Sequence, residues 1–393
     1  MGTHSVKTVS MVRAGGKLRV DQVGYAVVDR NLLNADPITA QANAVVQAIQ
    51  GMALQQSLIV GSLPDQAVVI RHPRLPNMPY DEIAKSIEAE AGQNIPYDLS
   101  EVFLDWALLQ GPGEGEEGQI KVLLAAARHE VIETRVQVAD AAEIKYAVLG
   151  VDSLALANPA EVCGFFRQDE TVALVNLGAS STNIHFLRGG VSNFIRHVSW
   201  GTRELVQAIA KGQRCEYEEA ERVLQRFATG EHAPQRQPEP APPKKAPPAA
   251  SAPSAGSPLE PLEEERGGLG EEPASKRATP PPAAAPTPSV DIPELLATPL
   301  ARLVAEVRRS FEYYEHQLYE RPVDRILLSG GVVHIPLIVE TLTEELGLEH
   351  VEVSNPAESA LRLGSDPSVS LLTERPAQFM VAVGLAAAGA EEL

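Results

Sequence analysis

A repeated pattern of glycine and small polar residues places the strongest constraint on the fold of this 393-residue chain. Near the start, Gly2-Thr-His-Ser-Val-Lys7 leads into an alternating stretch that turns at Gly15-Gly16. About 175 residues later, Gly178-Ala-Ser-Ser-Thr182 leads into a second alternating stretch that turns at Gly189-Gly190. Two copies are too few for a solenoid, which needs at least about three repeats. The repeat therefore predicts a duplicated fold with two lobes.

The two copies differ in what precedes them. The apolar run Thr171–Leu177 precedes the second copy and is typical of a buried strand, whereas Met1 alone precedes Gly2. We therefore expect the first lobe to lack its incoming strand.

Glycine turns of this kind suit a phosphate ligand. A tight glycine turn lets backbone N–H groups and hydroxyls face one point, and two such turns across a cleft can hold successive phosphates of a nucleotide. A third segment, Ile326–Gly331, reads as a strand followed by two glycines, which leaves bare backbone where a base or ribose can approach. For either turn taken alone, an ordinary glycine hairpin is the alternative. The three together favour a nucleotide site.

Proline marks the main boundary in the chain. Residues 231–290 hold 16 of the 31 prolines and no aromatic residue. Such a composition cannot bury enough apolar surface to offset its ordering entropy. We therefore expect a disordered Pro/Ala-rich insertion over residues 229–291, with a long helix over residues 300–318 and a buried strand at Arg325–Ser329 after it.

Charge and composition exclude several classes of protein. The formal net charge of -19 argues against binding to a nucleic-acid backbone. Apolar runs of about ten residues are too short to span a bilayer, so we expect no direct membrane insertion. The two cysteines can form neither a disulfide framework nor a thiolate metal site, and no two histidines have ligand spacing, so we expect no metal held by protein side chains alone. These features indicate a cytoplasmic protein.

Helical periodicity occurs in two segments of the first third of the chain. Thr39–Gln56 places Ala42, Val46, Ile49 and Ala53 on one side, and Tyr80–Ala91 places Ile83, Ile87 and Ala91 on one side. Since strands and helices are mixed, the predicted class is α/β or α+β.

Five segments together resemble the actin-like ATPase superfamily: Gly2–Lys7, Val175–Thr182, Ser199–Glu204, Glu218–Glu221 and Leu328–Gly331. Within it, the chain is similar to the PilM family of type IV pilus assembly proteins, whose relative is the cell-division protein FtsA. The segments that carry this similarity are Leu75–Ala91, Ile95–Leu99 and Phe103–Asp105. The resemblance implies an α/β, actin-like (ribonuclease H-like) duplicated two-lobe fold with an inserted small α+β subdomain.

The resemblance also implies a division of the chain. Residues 1–72 would form the N-terminal part of the first lobe, residues 73–144 the inserted subdomain, and residues 145–228 and 292–393 the rest of the first lobe and the second lobe.

In this family the cleft between the lobes holds ATP or ADP with Mg²⁺. The residues that the resemblance assigns to nucleotide binding are Gly2, Thr3, His4, Ser5, Lys7, Asn176, Gly178, Ala179, Ser180, Ser181, Thr182, Gly201, Thr202, Glu221, Gly330 and Gly331. Asn176 stands where the family commonly has aspartate, and Leu224 stands where actin-like relatives have lysine. We therefore expect ATP binding with weak or absent hydrolysis, and no residue is nominated as catalytic.

The resemblance implies protein partners as well. The inserted subdomain would bind the N-terminal cytoplasmic peptide of the membrane protein PilN, and the groove residues we expect are Leu75, Met78, Tyr80, Ile95 and Tyr97. The alternative for these apolar residues is that they pack the core of the subdomain. The pilus motor ATPases or the platform protein are the other expected partners, a homo-oligomer is left open, and the expected location is the cytoplasmic side of the inner membrane.

Two other functions remain open from the sequence. An active ATPase or phosphotransferase of the same fold would need an acidic catalytic residue on the first lobe. An FtsA-like cell-division anchor would end in an amphipathic membrane-binding helix, and the last ten residues carry no basic side chain.

Overall fold

The computed structural model describes residues 1–55, 57–109, 118–167, 169–229 and 291–391. The predicted disordered insertion, residues 229–291, lies almost wholly outside the described residues. The described strands are β1 (Ser5–Ala14), β2 (Lys17–Val27), β3 (Val60–Leu63), β4 (Val68–Arg71), β5 (Arg74–Pro76), β6 (Val102–Leu109), β7 (Gln119–Arg128), β8 (Val148–Val151), β9 (Thr171–Leu177), β10 (Thr182–Arg188), β11 (Val191–Val198), β12 (Arg325–Gly330), β13 (Val351–Val353) and β14 (Arg362–Leu363).

Helices connect and cover these strands. The described α-helices are α1 (Arg30–Ala35), α2 (Pro37–Ala48), α3 (Tyr80–Asn94), α4 (His129–Ala141), α5 (Asp152–Ala155), α6 (Ala157–Val162), α7 (Arg203–Gln213), α8 (Tyr217–Ala228), α9 (Ile292–Glu312), α10 (Pro336–Leu346), α11 (Ser370–Glu374) and α12 (Met380–Glu391). None of the described helices is both long enough and apolar enough to cross a bilayer.

The repeated glycine pattern forms two hairpins of the same design. β1 pairs with β2 and β10 pairs with β11, both antiparallel. Each turn consists of two glycines with positive φ, 60° and 74° at Gly15-Gly16 and 56° and 84° at Gly189-Gly190. Positive φ at both central residues matches the right-handed twist of the strands and favours glycine. Each hairpin also has a β-bulge, after Ser10 and after Phe186, so the predicted duplication extends to irregular details.

The sheets of the two lobes differ in one respect. The second lobe has a five-stranded sheet in the order β11-β10-β9-β12-β13, in which β9 lies between the hairpin and the parallel strands. In the first lobe the sheet order is β1-β2-β14, with β14 parallel to β2, and the parallel strands β3 and β8 form a separate sheet. Among the described residues no strand pairs with the other edge of β1. A missing first strand in this lobe stays a prediction.

The core of the second lobe lies between its sheet and α9. The predicted long helix is present as α9, followed by a π-helical turn at Tyr313–Gln317. Tyr314 in that turn is fully buried and stacks on Phe186 of β10, with ring centroids 4.4 Å apart. Trp200, also fully buried, donates from its indole Nε1 to the carbonyl oxygen of Pro299 at 2.8 Å. These contacts fix α9 on the sheet that leads into the second glycine turn.

The predicted helix over Thr39–Gln56 is too long, and of its predicted face Ala42 is buried whereas Val46 is not. The helix that forms, α2, runs from Pro37 to Ala48 after an N-cap at Asp36, whose side chain accepts a hydrogen bond from the backbone N–H of Thr39. Its buried residues are four alanines and Val45, whereas Val46 is 48% exposed. Small residues face inward because the helix approaches β2 closely: a Cβ at Gly24 would lie 1.7 Å from the carbonyl oxygen of Ala48.

The inserted subdomain is a four-stranded antiparallel sheet covered by α3. β7 is its central strand, pairing with β6 on one edge and with β4 and β5 on the other. The helix α3 buries Ile83, Ile87 and Ala91 against the sheet, which is the predicted face, and it continues to Asn94. β4 begins before the predicted boundary at residue 73, and Val138 and Ala139 of α4 pack into the first-lobe core. The subdomain therefore spans about residues 68–128.

Candidate functional site

A cavity of about 610 Å³ lies in the cleft between the two lobes, at the start of both hairpins. Its volume falls in the range of small-molecule sites, roughly 300–1,000 Å³. All the residues predicted for nucleotide binding line this cavity except Thr182 and Gly201. Those two lie behind the second glycine turn: the Thr182 hydroxyl donates to the carbonyl oxygen of Trp200 at 2.9 Å, and a Cβ at Gly201 would meet the Ala179 carbonyl oxygen at 2.5 Å.

The two glycine turns that face the cavity have the same internal hydrogen bond. The backbone N–H of Gly2 donates to the carbonyl oxygen of Ser5, and that of Gly178 donates to the carbonyl oxygen of Ser181, each at 3.0 Å. A Cβ at Gly178 would lie 2.7 Å from this Ser181 oxygen, so any side chain there would force the turn open. The clash is therefore with the turn's own backbone.

Direct contacts join the turns across the cleft. The Thr3 hydroxyl lies 3.3 Å from the Ser180 hydroxyl, and the His4 Nδ1 lies 3.4 Å from a carboxylate oxygen of Glu221 on α8. Both turns thus bring hydroxyl groups to one narrow space, and such polar turns suit the binding of an anion.

Two basic side chains add positive charge to this space. The Lys7 ammonium donates to the Ser5 hydroxyl at 2.7 Å, and burial lowers its pKa to about 8. The Arg375 guanidinium lines the same cavity and lies 5.3 Å from the centre of the Tyr25 ring. Arg375 was missed by the sequence analysis because it comes from a short segment far along the chain, with no motif around it.

Two carboxylates that the sequence analysis also missed line the cavity on the first lobe. Asp65 follows β3 and Asp152 follows β8, so the parallel pairing of these strands brings both to one edge. Asp65 Oδ1 accepts a hydrogen bond from the backbone N–H of Ser153 at 2.7 Å, and Asp152 accepts one from the Ser62 hydroxyl at 2.5 Å. Burial, reinforced by the neighbouring Asp152, raises the pKa of Asp65 to about 7. Asp152 follows its strand directly and Asp65 follows its own after Pro64, but only the pairing of the two strands brings the carboxylates together.

The other end of the cavity is less polar. Gly330 has a φ of 116°, and a Cβ there would lie 2.2 Å from the carbonyl oxygen of Leu177, so only glycine lets β12 end this close to β9. Leu224 of α8 gives an apolar wall, and the Arg30 guanidinium stacks 3.7 Å from the centre of the Tyr217 ring beside it. Bare backbone and an aliphatic side chain suit a flat apolar group such as a base.

The residues expected to form a peptide groove have unequal accessibility. Leu75 and Ile95 are only 5% exposed and pack in the core of the inserted subdomain, so an incoming peptide cannot contact them without opening that core. Met78 is partly buried against the same core, whereas Tyr80 and Tyr97 are exposed. The expectation for Leu75 and Ile95 is therefore corrected, since the core-packing alternative describes them.

A different apolar groove lies between the inserted subdomain and the first lobe. Its walls are Phe103 of β6, Ile132 and Val136 of α4, and Ile144, Tyr146 and Val148 before and in β8. Phe103, Val136 and Val148 are each between 42% and 57% exposed. These residues come from three separate segments, so no local pattern in the sequence could have indicated the groove.

Comparison with known proteins agrees with this architecture. One solved structure, described as the PilM-PilN type IV pilus biogenesis complex, aligns with 23% identity and a TM-score of 0.72, over 99% of this chain and 97% of that one. The ethanolamine utilization protein EutJ from Carboxydothermus hydrogenoformans aligns with 12% identity and a TM-score of 0.47, over 97% of this chain and 89% of its own. The first likeness confirms the predicted actin-like two-lobe fold with its inserted subdomain.

A family profile decides the relationship. The profile described as type IV pilus assembly protein PilM matches residues 1–232 and 290–389, which is most of the chain. The match includes both glycine turns, the inserted subdomain and the strand that ends at Gly330. The chain therefore belongs to the PilM family of type IV pilus assembly proteins.

Proposed function

We propose that this chain is an ATP-binding scaffold of type IV pilus assembly at the cytoplasmic face of the inner membrane. In this proposal it binds the N-terminal peptide of PilN and connects it to the pilus motor ATPases or the platform protein. The observation that carries the nucleotide part is the pair of glycine turns in the cleft, which share the same internal hydrogen bond and are joined by the contact of Thr3 with Ser180.

The chemistry of the cleft supports a nucleoside di- or triphosphate. Backbone N–H groups, Lys7 and Arg375 supply donors and positive charge for phosphates, and the apolar end near Leu224 suits the base. Asp65 and Asp152 are oxygen ligands of the kind Mg²⁺ prefers, with nucleotide phosphates completing its coordination. No group of three or more acidic, histidine or cysteine side chains within the described ranges could hold a metal ion without such help.

Nucleotide binding is tested by calorimetric titration of ATP with Mg²⁺ into the full chain. Gly178→Ala opens the second turn, and we expect at least a tenfold loss of affinity, about 1.4 kcal/mol. Gly92→Ala is the matched control because a Cβ at Gly92 meets nothing within 4 Å. Thermal unfolding monitored on both variants separates loss of the turn from loss of the fold. If a folded Gly178→Ala variant binds ATP with wild-type affinity, the nucleotide site does not lie in this cleft.

The peptide part of the proposal rests on the groove lined by Phe103, Val136 and Val148. Three apolar side chains exposed in one concave surface suit an extended or helical peptide with apolar anchors. The solved PilM-PilN complex, which shares this fold, motivates the choice of PilN as the partner.

A charge placed in the groove tests this assignment. Val136→Glu should weaken binding of a synthetic N-terminal PilN peptide at least tenfold, measured by fluorescence anisotropy, because the peptide would desolvate the new carboxylate. Val46→Glu is the matched control, a helical valine of similar exposure on α2 that does not line the groove. Equal affinities for the two variants would place the peptide elsewhere.

A second candidate function, ATP hydrolysis, is favoured by Asp65 and Asp152. These carboxylates meet the requirement for acidic residues on the first lobe that the sequence analysis left open. Release of inorganic phosphate by wild type, lost in Asp152→Asn with ATP affinity retained, would establish a hydrolase. If wild type binds ATP but releases no phosphate, the hydrolase function is excluded and the scaffold function remains.

A further inference from the structure

A stacked pair of side chains joins the two lobes at the rim of the nucleotide cleft. The guanidinium carbon of Arg30 lies 3.7 Å from the centre of the Tyr217 ring. Arg30 is the first residue of α1, and Tyr217 is the first residue of α8. Tyr217 lines the cavity, whereas Arg30 is exposed and does not line it. The stack therefore lies between the cavity and the solvent.

Each of the two helices is fixed to its own lobe. On the first lobe, Leu32 and Leu33 of α1 pack against the core that includes Val6 of β1. On the second lobe, Ala220 and Leu224 of α8 are buried in the core between the sheet and α9. Separation of the lobes at this rim therefore has to break the stack.

The first-lobe side of the stack is connected to the first glycine turn. The backbone N–H of Val28, two residues before Arg30, donates to the carbonyl oxygen of His4 at 2.9 Å. The Nδ1 atom of His4 lies 3.4 Å from the carboxylate of Glu221, which follows Tyr217 by four residues and so lies on the same face of α8. The helix α8 thus contacts the first lobe at two adjacent points.

The second-lobe side of the stack is connected to the second glycine turn through Arg203, the first residue of α7. The backbone N–H of Arg203 donates to the carbonyl oxygen of Ala179 at 3.0 Å. Burial and the neighbouring Glu221 raise the pKa of the Tyr217 hydroxyl, and Arg30 and Arg203 oppose this rise. One guanidinium group therefore covers the face of the ring while another lies near its hydroxyl.

We propose that the Arg30–Tyr217 stack is a gate on the cleft, which the nucleotide passes only when the stack has opened. In the closed state the two side chains are stacked, and in the open state α1 and α8 have separated. Because Arg30 does not line the cavity, the stack is the same with the cleft filled or empty, so it slows entry and exit by the same factor. This inference rests on the proposed function, because the nucleotide belongs to it.

The expected size of the effect follows from the type of contact. A planar guanidinium group stacks well on an aromatic face, and an exposed contact of this kind changes the equilibrium between open and closed states about two- to fivefold. Loss of the stack should therefore raise the association and dissociation rate constants together and leave the dissociation constant unchanged.

The test measures nucleotide exchange by the full chain in stopped flow. A fluorescent ATP analogue with Mg²⁺ gives the association rate constant, and a chase with excess unlabelled ATP gives the dissociation rate constant. Arg30→Ala removes the stack. Arg222→Ala is the matched control, because it also removes an exposed arginine, one that lies on α8, bonds to the Glu218 carbonyl of its own helix and does not line the cavity. Thermal unfolding confirms that each variant is folded.

We expect Arg30→Ala to raise both rate constants about two- to fivefold and Arg222→Ala to match wild type. In a Tyr217→Leu background, Arg30→Ala should raise neither rate constant further, because the stack is already lost. Wild-type rate constants in a folded Arg30→Ala variant would overturn the proposal. A weaker affinity with an unchanged association rate constant would overturn it too, because Arg30 would then be a ligand contact. If wild type binds neither the analogue nor ATP, the nucleotide part of the proposed function fails and the gate falls with it.

Discussion

Replacement of Lys7 by methionine should make the protein more stable and a weaker nucleotide binder. The Lys7 ammonium lies in the cleft and donates a hydrogen bond to the hydroxyl of Ser5 at 2.7 Å. Burial lowers its pKa from 10.5 to about 8, with Arg375 adding to the effect and Asp152 opposing it. A positive charge that is kept in a site despite its desolvation is typical of anion binding, because the bound anion supplies the opposite charge.

The magnitude follows from this pKa. A decrease from 10.5 to about 8 corresponds to about 3.4 kcal/mol of unfavourable free energy for the charged form in the folded state. Loss of the hydrogen bond with Ser5 offsets about 1 kcal/mol of this. We therefore expect Lys7→Met to raise the free energy of unfolding by about 2 kcal/mol near neutral pH.

The pH dependence has a definite sign. The folded-state pKa lies below the unfolded-state value, so the unfolded chain binds more protons between pH 8 and pH 10.5 and wild type gains stability as the pH rises through that window. The advantage of Lys7→Met is therefore largest below about pH 8 and shrinks above it.

Urea unfolding at several pH values measures this advantage, with Lys17→Met as the control at an exposed position on β2. The ATP affinity of Lys7→Met should fall at least about tenfold, because a charge-assisted contact with phosphate is lost. A Lys7→Met variant no more stable than wild type at neutral pH would contradict the reasoning.

Two further predictions concern ionic groups. Arg325→Met should lower the free energy of unfolding by about 3–5 kcal/mol in urea titrations, because it leaves the buried Glu170 without its two hydrogen bonds of 2.8 Å. Arg302→Met is the comparison: it breaks the ion pair of an exposed arginine with Glu204 and should lower the free energy of unfolding by under about 1 kcal/mol. Equal losses in the two variants would contradict this prediction. The pKa of Asp65 is raised from 3.8 to about 7, so between these pH values the folded state binds a proton that the unfolded chain has lost. The free energy of unfolding of wild type should therefore fall as the pH rises through this range, and the fall should be smaller in Asp65→Asn. Denaturant unfolding of both proteins across the range measures the difference, and parallel curves would count against the burial of the Asp65 carboxyl.

The parts of the site that could be predicted from the sequence are those that a single segment defines. Gly2 and Gly178 each donate to the carbonyl oxygen of the serine three residues later, so spacing within one segment marks them. Gly330 is marked by the glycine pair that follows its strand, although the close contact that requires glycine there is with Leu177 of β9. Asp65 and Asp152 need the pairing of β3 with β8 before they meet, and no local pattern contains that pairing. Recognition of the family likewise named the loops of this site without these two carboxylates.

The errors at α2 and in the inserted subdomain have one physical cause. Periodicity ranks large apolar residues as buried, but α2 lies so close to β2 that its buried face consists mostly of alanines, and Val46 faces outward. Leu75 and Ile95 were expected in a peptide groove from the family resemblance, whereas sheet packing places them in the core. In each case the separation between elements, which depends on distant segments, decides which face is buried.

The position of α12 bears on how the protein folds during synthesis. This helix comes from the last part of the described chain, yet it packs against β1, β3 and α6 of the first lobe. Gly384 touches the backbone of Ala155 so closely that a Cβ would lie 1.8 Å from its carbonyl oxygen, and the Ala390 carbonyl accepts from Arg13. Domains commonly fold from the N-terminus as the ribosome extends the chain. Here α2 covers one part of β1 early, but the surface of β1 and β3 that α12 covers stays exposed until α12 has left the ribosome, so the nascent first lobe would expose apolar surface that chaperones bind.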